Sequence, residues 1–368
     1  MDLVVDSIEL LDFRNYEVFK SGEFSRFNVF VGHNGAGKTN IIEAIQLMTS
    51  QESFRNPKWD EVVRWGCDRS CVKTSFKGEQ RNLDLRLDIA NRKRTYYLNE
   101  KKKSTAEIRG LLPSVLFCPD DLRIVKGSAE NRRDALDYVG TQISNTYYDL
   151  KSRYIKAVKQ KNALLQSNDF NPALLDPWNE NIATIGASFV KHRLNLFETF
   201  GKNLVRIWLE MVKNSVMYVV YIPSWEVGND VKIISSDYST EQIKSKLLEK
   251  AESLKEAELG SRRTLSGPHR DEIRFYIDDF DARKFASQGQ QRFIALSWKI
   301  AEMETISEIC GQKPILLLDD VLSELDMKKR DILAGYLLEN MQTFITATDV
   351  DYLDDSILQR AQIFEVGG

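Results

Sequence analysis

Two kinds of hydrophobic spacing divide the chain. Near the N-terminus, "SIELLDFRNY" (7–16) and "NLDLRLDIA" (82–90) alternate apolar and polar residues, the period-two pattern of half-buried strands. "RTYYLNEKKKS" reads as a hairpin turning at Asn99–Glu100, and the apolar run "SVLFC" (114–118) as a buried strand ended by Pro119. From Asp134 to Val158 the spacing changes. Leu136, Val139, Ile143, Tyr147, Leu150, Tyr154 and Val158 lie three or four apart, on one face of a helix. "QSNDFNPALLDP" breaks that period with polar residues and two prolines, and Ile182, Ile185, Phe189, Leu196, Phe200, Leu204, Ile207 and Met211 resume it. Two long helices joined by a short break predict an antiparallel hairpin. At about 1.5 Å per residue each helix extends several tens of ångströms, an arm rather than a coiled-coil rod. After residue 215 strands and helices mix again, with "SWEVGNDVKI" and "STEQ" reading as loop or edge material; the sequence has no low-complexity tract or internal repeat.

One turn in the first strand-rich region carries chemistry. "GHNGAGKT" (32–39) sits between an apolar strand (Phe27, Val29, Val31) and an apolar helix (Ile41, Ile42, Ala44, Ile45, Leu47, Met48). Glycines at 32, 35 and 37 permit backbone angles that a side chain forbids, so the peptide N–H groups from Gly32 through His33, Asn34, Gly35 and Ala36 to Gly37 can surround an anion. The following helix adds its positive end. Lys38 would neutralise the β- and γ-phosphates, and the Thr39 hydroxyl would ligate Mg²⁺. A ligand-free glycine turn is the alternative; the strand before and the apolar helix after favour a phosphate loop.

A second stretch completes such a site. In "KPILLLDDVLSELD" (313–326), Ile315 to Leu318 form a buried strand ending in Asp319–Asp320. An acid there orders Mg²⁺ in phosphate-loop proteins, which assigns Asp319 to the metal and leaves Asp320 to polarise an attacking water. Lys38, Asp319 and Asp320 are thus the candidate catalytic set, and Thr39 with Asp319 the candidate metal ligands. Upstream, in "FASQGQQRFIALSWKIAEME" (285–304), Ser287, Gln288, Gly289 and Gln290 open an apolar helix. In isolation they read first as a helix cap.

Composition narrows the field. At 368 residues the chain suits one large domain or two, and 42% hydrophobic residues suit a soluble globular protein. It has no run of 18 apolar residues to span a membrane, and "MDLVVDSIELLDF" lacks the basic start of a signal peptide, so the expected location is the cytoplasm. Four cysteines (67, 71, 118, 310) and three histidines (33, 192, 269) show no metal-binding spacing, and reduced thiols are expected. A net charge of −3 argues neither for nor against nucleic acid. Lys151, Arg153, Lys156, Lys159 and Lys161 spread around their helix and read as solvated surface.

Taken together, the phosphate loop, "SQGQQ" and the strand acids resemble the ABC-type ATPases with a split head, in which "SQGQQ" corresponds to the signature motif and "SELD" (323–326) to the loop after the second acid. Within them the chain resembles the RecF family of bacterial recombination mediators through "LLDFRNY", "GHNGAGKTNIIEAI", "QESFRNP", "FCPDDLRIVKGSAENRRDALD", "TLSGPHRDE", "SQGQQR" and "LLLDDVLSELD". The resemblance implies an α/β fold: an ABC-type ATPase head, with a P-loop parallel or mixed sheet and an antiparallel β subdomain, plus an α-helical hairpin lobe. The expected division is 1–127 head, 128–213 arm and 214–368 head. It further implies ATP and Mg²⁺ as ligands and a homodimer formed on ATP. In that dimer Ser287, Gln288, Gly289 and Gln290 of one copy reach the nucleotide of the other. Implied partners are single- and double-stranded DNA at gap junctions, RecR and RecO, and RecA indirectly, in repair of damaged replication forks and the SOS response. Hydrolysis is expected to be slow, because Asp320 stands where the superfamily has a longer glutamate. A superfamily histidine is replaced within "FITATD" (344–349) by Thr346, Thr348 and Asp349, and the Mg²⁺-sensing glutamine is not obvious, "FCPDDL" standing roughly in its place. The alternatives are a transporter ATPase subunit, an SMC-class DNA tether and an ABC-headed nuclease. The arm argues against a transporter. Its shortness argues against a tether, and the lack of an added cluster of metal-binding acids against a nuclease. Nothing suggests the acceptor site of a small-molecule kinase.

Overall fold

The computed structural model describes residues 3–79, 81–167, 171–226, 237–324, 327–337, 341–350 and 358–367. The chain forms two compact units, Met1–Asp121 with Glu302–Gly368, and Leu122–Ala301.

In the first unit a six-stranded antiparallel sheet runs in the order β2-β1-β4-β5-β6-β7. Its strands are β1 (Val4–Phe13), β2 (Tyr16–Gly22), β4 (Arg69–Lys77), β5 (Leu83–Ala90), β6 (Lys93–Leu98) and β7 (Lys101–Lys103). The alternation is direct in β5, where Leu83, Leu85, Leu87 and Ile89 are buried. The β6–β7 turn falls at Asn99 and Glu100, both at positive φ (48° and 61°), the conformation that matches the twist of a tight hairpin.

A second sheet in this unit is parallel throughout, in the order β14-β3-β13-β12-β8. It comprises β3 (Phe27–Val31), β8 (Ser114–Phe117), β12 (Ile315–Asp319), β13 (Thr343–Ala347) and β14 (Ala361–Glu365). Strands covered on both faces need apolar residues at consecutive positions, and "SVLF", "ILLLD" and "TFITA" are buried from end to end. Even the polar Ser114, Asp319 and Thr346 are inside. The glycine-rich loop follows the carboxyl end of β3, Asp319 ends β12, and Thr346 lies opposite Asp319 in register. Carboxyl ends of parallel strands are where such sheets place ligands.

The second unit holds a three-stranded antiparallel sheet, β11-β10-β9, with β9 (Met217–Ile222), β10 (Glu272–Ile277) and β11 (Phe280–Asp281). Its expected arm is present, with differences. The first helix is two, Ala129–Ile143 and Asn145–Gln166, meeting at Ser144. Ser144 leaves the helical region (φ −148°, ψ 120°), and its Oγ accepts the Tyr147 N–H to cap the next helix. The second helix, Leu175–Met211, runs for 37 residues. Lys161 meets Asn179 and Tyr154 meets Phe189, so the two helices run antiparallel.

"STEQ" is not loop: Ser239 caps a helix, Thr240–Ser253, through a reciprocal box with Gln242, and that helix packs on Leu175–Met211. Of "SWEVGNDVKI", residues 227–233 lie outside the described residues. Lys161 also corrects its expectation. It is buried, bonded to Asn179 Oδ1 at 2.6 Å and ion-paired with Glu258, whereas Arg153, Lys156 and Lys159 are exposed. The segment 214–301, expected with the head, belongs to the same compact unit as the arm. The reason is packing: β9 lies on Leu175–Met211 and β10 on Ala129–Ile143. All four cysteines are free.

Arg193 of the long helix organises a buried polar knot in this unit. Its guanidinium makes two bonds to Asp137 at 2.9 Å and donates to Pro268 O at 2.8 Å and to the Tyr221 hydroxyl at 3.2 Å. Tyr147 donates to Asp137 Oδ1 at 2.6 Å, Tyr221 donates to Asp271, and Asp271 accepts the Ser224 N–H at 2.7 Å. Burial, the largest single influence, raises the Asp137 carboxyl, but the charges of Arg193 and Lys151 and the hydrogen bonds from Arg193 and Tyr147 together hold it below its ordinary value. Asp271, farther from Arg193, is pushed up by burial.

His269, in "SGPHR", borders this knot. Its Nε2 faces the Thr264 carbonyl at 3.2 Å, which can only accept, so Nε2 carries the proton and Nδ1 accepts from the Tyr154 hydroxyl at 2.6 Å. Burial, with Arg270, Arg133 and Lys161 nearby, pulls the imidazole down to about 4. A depressed histidine stabilises the fold in its neutral form. That contribution is whole above the unfolded value of ~6.5 and is lost as pH falls towards 4, at roughly 1.4 kcal/mol per unit and at most about 3 kcal/mol. Unfolding midpoints at pH 7 and pH 4.5 should therefore differ less in His269→Gln than in wild type; equal differences would exclude His269 as the source.

Candidate nucleotide site

The loop from Gly32 to Thr39 is built by two different demands on glycine. Gly35 and Gly37 have φ of 84° and 108°, the left-handed region expected of them. Gly32 has no such angle. A Cβ there would stand 2.2 Å from the Val366 carbonyl oxygen, so close approach to the end of β14 requires the glycine. A Cβ on Gly37 would in turn meet the Asn15 amide at 2.6 Å and the Tyr16 hydroxyl at 2.7 Å.

His33, Asn34 and Gly35 are exposed and Ala36 is half-buried at the loop's surface. Lys38 starts the helix Lys38–Thr49; it is buried and donates to the Gly32 and His33 carbonyls at 2.6 and 3.0 Å, so its ammonium lies inside the curve of the loop.

The structure brings the loop and the strand acids together. Thr39 Oγ1 donates to Asp319 Oδ1 at 2.9 Å. The same carboxylate oxygen accepts from Thr346 Oγ1 at 2.8 Å, and Thr346 Oγ1 accepts the Asp320 N–H at 2.9 Å. Burial pushes the Asp319 carboxyl up, opposed by the hydrogen bonds from Thr346 and Thr39 and by the charge of Arg55. A hydroxyl and a carboxylate oxygen within hydrogen-bond distance are the hard oxygen donors that suit Mg²⁺, which takes few protein ligands and fills its shell with water and phosphate oxygens. Among the described residues no cluster of three or more His, Cys, Asp or Glu offers a rival metal site.

Behind the loop lies a polar network that motif reading does not assemble. Glu43, wholly buried on the loop's helix, accepts from Arg14 at 2.6 and 2.9 Å, from Arg55 at 3.0 Å and from Ser53 at 2.6 Å. Arg55 also donates to Asn40 Oδ1 at 2.6 Å, Asn40 donates to Asn15 Oδ1 at 2.7 Å, and Asn15 donates to Ala36 O at 3.3 Å. The signal available was a lone acid in the apolar run "NIIEAIQLM", which needs cationic partners once buried.

Ser287, Gln288 and Gly289 are exposed at the start of the helix Gln288–Cys310. Ser287 Oγ accepts the Gln290 N–H at 3.2 Å and Gln290 Oε1 accepts the Ser287 N–H at 2.8 Å, so the cap reading holds locally. Nothing crowds Gly289; a Cβ there would meet only Ser287 Oγ, at 3.9 Å. Two residues before Ser287, Phe285, 68% exposed, meets Phe280 edge-on at 5.8 Å. In "SELD", Ser323 donates to the Asp320 carbonyl at 2.9 Å, while Leu325 and Asp326 lie outside the described residues. "FCPDDL" forms the end of β8 and a 3₁₀ turn in which Asp121 accepts the Cys118 N–H at 2.7 Å. Among the described residues no helix is long and apolar enough to cross a membrane.

Comparison with known proteins follows the same blocks. The family model described as RecF/RecN/SMC N terminal domain matches residues 4–365. "DNA replication and repair protein RecF" of Halothermothrix orenii is 34% identical over 369 residues, 99% of this chain and 97% of the relative. The protein of the same description from Shouchella clausii is 35% identical over 372 residues, covering 99% and 98%. The solved structure of the recombination mediator protein RecF-ATP in the RecFOR pathway superposes with a TM-score of 0.88 at 29% identity, covering 100% of this chain and 97% of that one. The Smc head domain of Pyrococcus furiosus, with an extended coiled coil and bound to the C-terminal domain of ScpA, shares the fold at TM-score 0.54 and 17% identity, covering 99% and 93%.

Proposed function

Because the chain belongs to the RecF family, within the broader RecF/RecN/SMC N-terminal domain family, we propose that it is an ATP-dependent, DNA-binding recombination mediator of gap repair, helping to load RecA where single-stranded DNA meets duplex. The observation that carries this reading is the 2.9 Å bond joining the phosphate loop to the strand acid through Thr39 and Asp319. With the relatives' description as repair proteins, it supports the reading of nucleotide as the control input and DNA as the target. In this division of labour the unit of 1–121 and 302–368 supplies the phosphate loop and the strand acids, and the unit of 122–301 supplies the arm and Ser287 to Gln290.

The residues act as follows. N–H groups from Gly32 to Gly37 and the Lys38 ammonium hold the triphosphate; Thr39 and Asp319 would hold Mg²⁺, which when bound would draw charge off the phosphate oxygens. Asp320 accepts a proton from water as its oxygen attacks the γ-phosphorus. The bond to the β-phosphate oxygen breaks, releasing ADP and phosphate. Asp320 reaches one methylene less far than glutamate, so turnover is slow. Before that step, Ser287, Gln288, Gly289 and Gln290 of a second copy close over the γ-phosphate, and ATP holds two heads together. DNA affinity then follows the nucleotide, because pairing adds the modest basic patches of two copies. RecR and RecO are the partners at the junction.

Fluorescence anisotropy with a labelled gapped duplex tests this. ATP and Mg²⁺ should tighten binding by about tenfold or more, with a steep dependence on salt. Equal affinity with and without nucleotide would remove the switch.

A further inference from the structure

Next to the carboxyl end of β13 stands a side chain that the proposed chemistry leaves without a task. Thr346 is buried, at 1% exposure, and touches both acids at once. Its single hydroxyl hydrogen has two acceptors in range, Asp319 Oδ1 at 2.8 Å and the Leu318 carbonyl at 3.5 Å, and the shorter contact takes it. The oxygen is then free to accept the Asp320 N–H at 2.9 Å. That N–H belongs to the peptide linking the two acids, and this peptide is where the backbone leaves β12.

Asp320 stands at φ 55°, in the left-handed region that a residue with a Cβ enters only under constraint. The neighbouring Asp319 is still in the extended strand. The reversal between them decides where the second carboxylate goes, and Thr346 Oγ1 bonds to the amide at that reversal. Ser323 Oγ donates to the Asp320 carbonyl at 2.9 Å from the other side, so the peptide groups flanking Asp320 Cα are both held by hydroxyls.

We propose that Thr346 is a positioning residue for hydrolysis. Its hydroxyl holds the Asp319–Asp320 peptide in the left-handed turn that presents the Asp320 carboxylate to the attacking water. In this role Thr346 acts through the Asp319–Asp320 peptide and not on the nucleotide itself. The inference rests on the reading of Asp320 as proton acceptor given above. Valine matches threonine in shape but leaves the Asp320 N–H without its acceptor, and the turn loses the bond that selects it.

The test compares Thr346→Val, Thr346→Ser, Asp320→Asn and the double variant Asp320→Asn/Thr346→Val. Single-turnover ATP hydrolysis should fall about 10- to 100-fold in Thr346→Val, and Thr346→Ser should restore it to within about threefold. ATP affinity measured in EDTA should stay within about threefold of wild type throughout. Hydrogen exchange at the Asp320 amide should speed up at least about tenfold in Thr346→Val and not in Thr346→Ser. The double variant should be no slower than Asp320→Asn alone, since the two changes remove one function.

Hydrolysis unchanged in Thr346→Val, ATP affinity falling in step with hydrolysis, or losses that multiply in the double variant would each overturn the inference. If Asp320→Asn turns over like wild type, the proton-acceptor reading fails first and this inference fails with it. If Asp320→Asn is impaired and Thr346→Val is not, only the inference fails.

Discussion

Methionine in place of Lys38 is expected to weaken ATP binding by about 100-fold or more while leaving the fold intact. The lysine is buried, and its ammonium already lies within 3.0 Å of the Gly32 and His33 carbonyls, inside the loop's curve. Methionine has similar length and apolar bulk, so the packing of the first helical turn survives. What disappears is the charge that, in the proposed site, faces the triphosphate in a place water reaches poorly. Truncating one partner of such a charge-assisted contact costs about 3 kcal/mol, or ~100-fold in affinity. Isothermal titration calorimetry with ATP and Mg²⁺ measures it directly. An affinity within about threefold of wild type would mean that the loop holds no triphosphate in this manner.

The second large effect concerns stability. Arg193→Met should destabilise the second unit by about 3–5 kcal/mol, because it strands the Asp137 carboxylate in a buried position. Asp137 is 2% exposed, and after the loss of two 2.9 Å bonds its remaining cation is Lys151 at 3.4 Å. The variant also releases the Pro268 carbonyl and the face of Phe189, over which the guanidinium stacks at 4.4 Å. Adding Asp137→Leu to Arg193→Met should recover part of the loss, since the unpaired charge is then gone. Urea unfolding of the three proteins gives the values. A loss under about 1 kcal/mol for the single variant would show that the knot relaxes or hydrates instead of holding.

Much of the architecture is legible in the sequence where short-range physics decides it. Alternation in "NLDLRLDIA" and the Asn99–Glu100 turn need only neighbouring residues, and both appear as expected. The break at Ser144 is hidden because Ile143 and Tyr147 stay four apart, so the apolar stripe keeps its phase across two helices. The helix at 240–253 announces itself in the Ser239–Gln242 box, a signal outweighed by the polar stretch before it. Lys161 shares the stripe of Tyr154, Val158 and Leu165, which puts it on the buried face, but its neutralising Glu258 is 97 residues away and no local pattern reveals it.

The candidate site divides in the same way. Lys38, Thr39 and Asp319 lie in motifs whose spacing alone picks them out. The Glu43 network draws Arg14 and Arg55 from two separate loops, and Thr346 meets Asp319 through strand register. Those meetings are products of the fold. Gly32 is the instructive case: the motif requires a glycine there, but the requirement comes from Val366, at the far end of the chain.

Sedimentation velocity with and without ATP, on wild type, Lys38→Met and Ser287→Arg, tests most directly whether two copies share the nucleotide. Wild type should pair only with ATP, Lys38→Met should stay single at ATP concentrations that saturate wild type because its ATP binding is weakened, and Ser287→Arg should bind ATP but stay single, its exposed helix start blocked by the added side chain. Pairing that ignores nucleotide, or Ser287→Arg pairing as wild type does, would contradict the shared site.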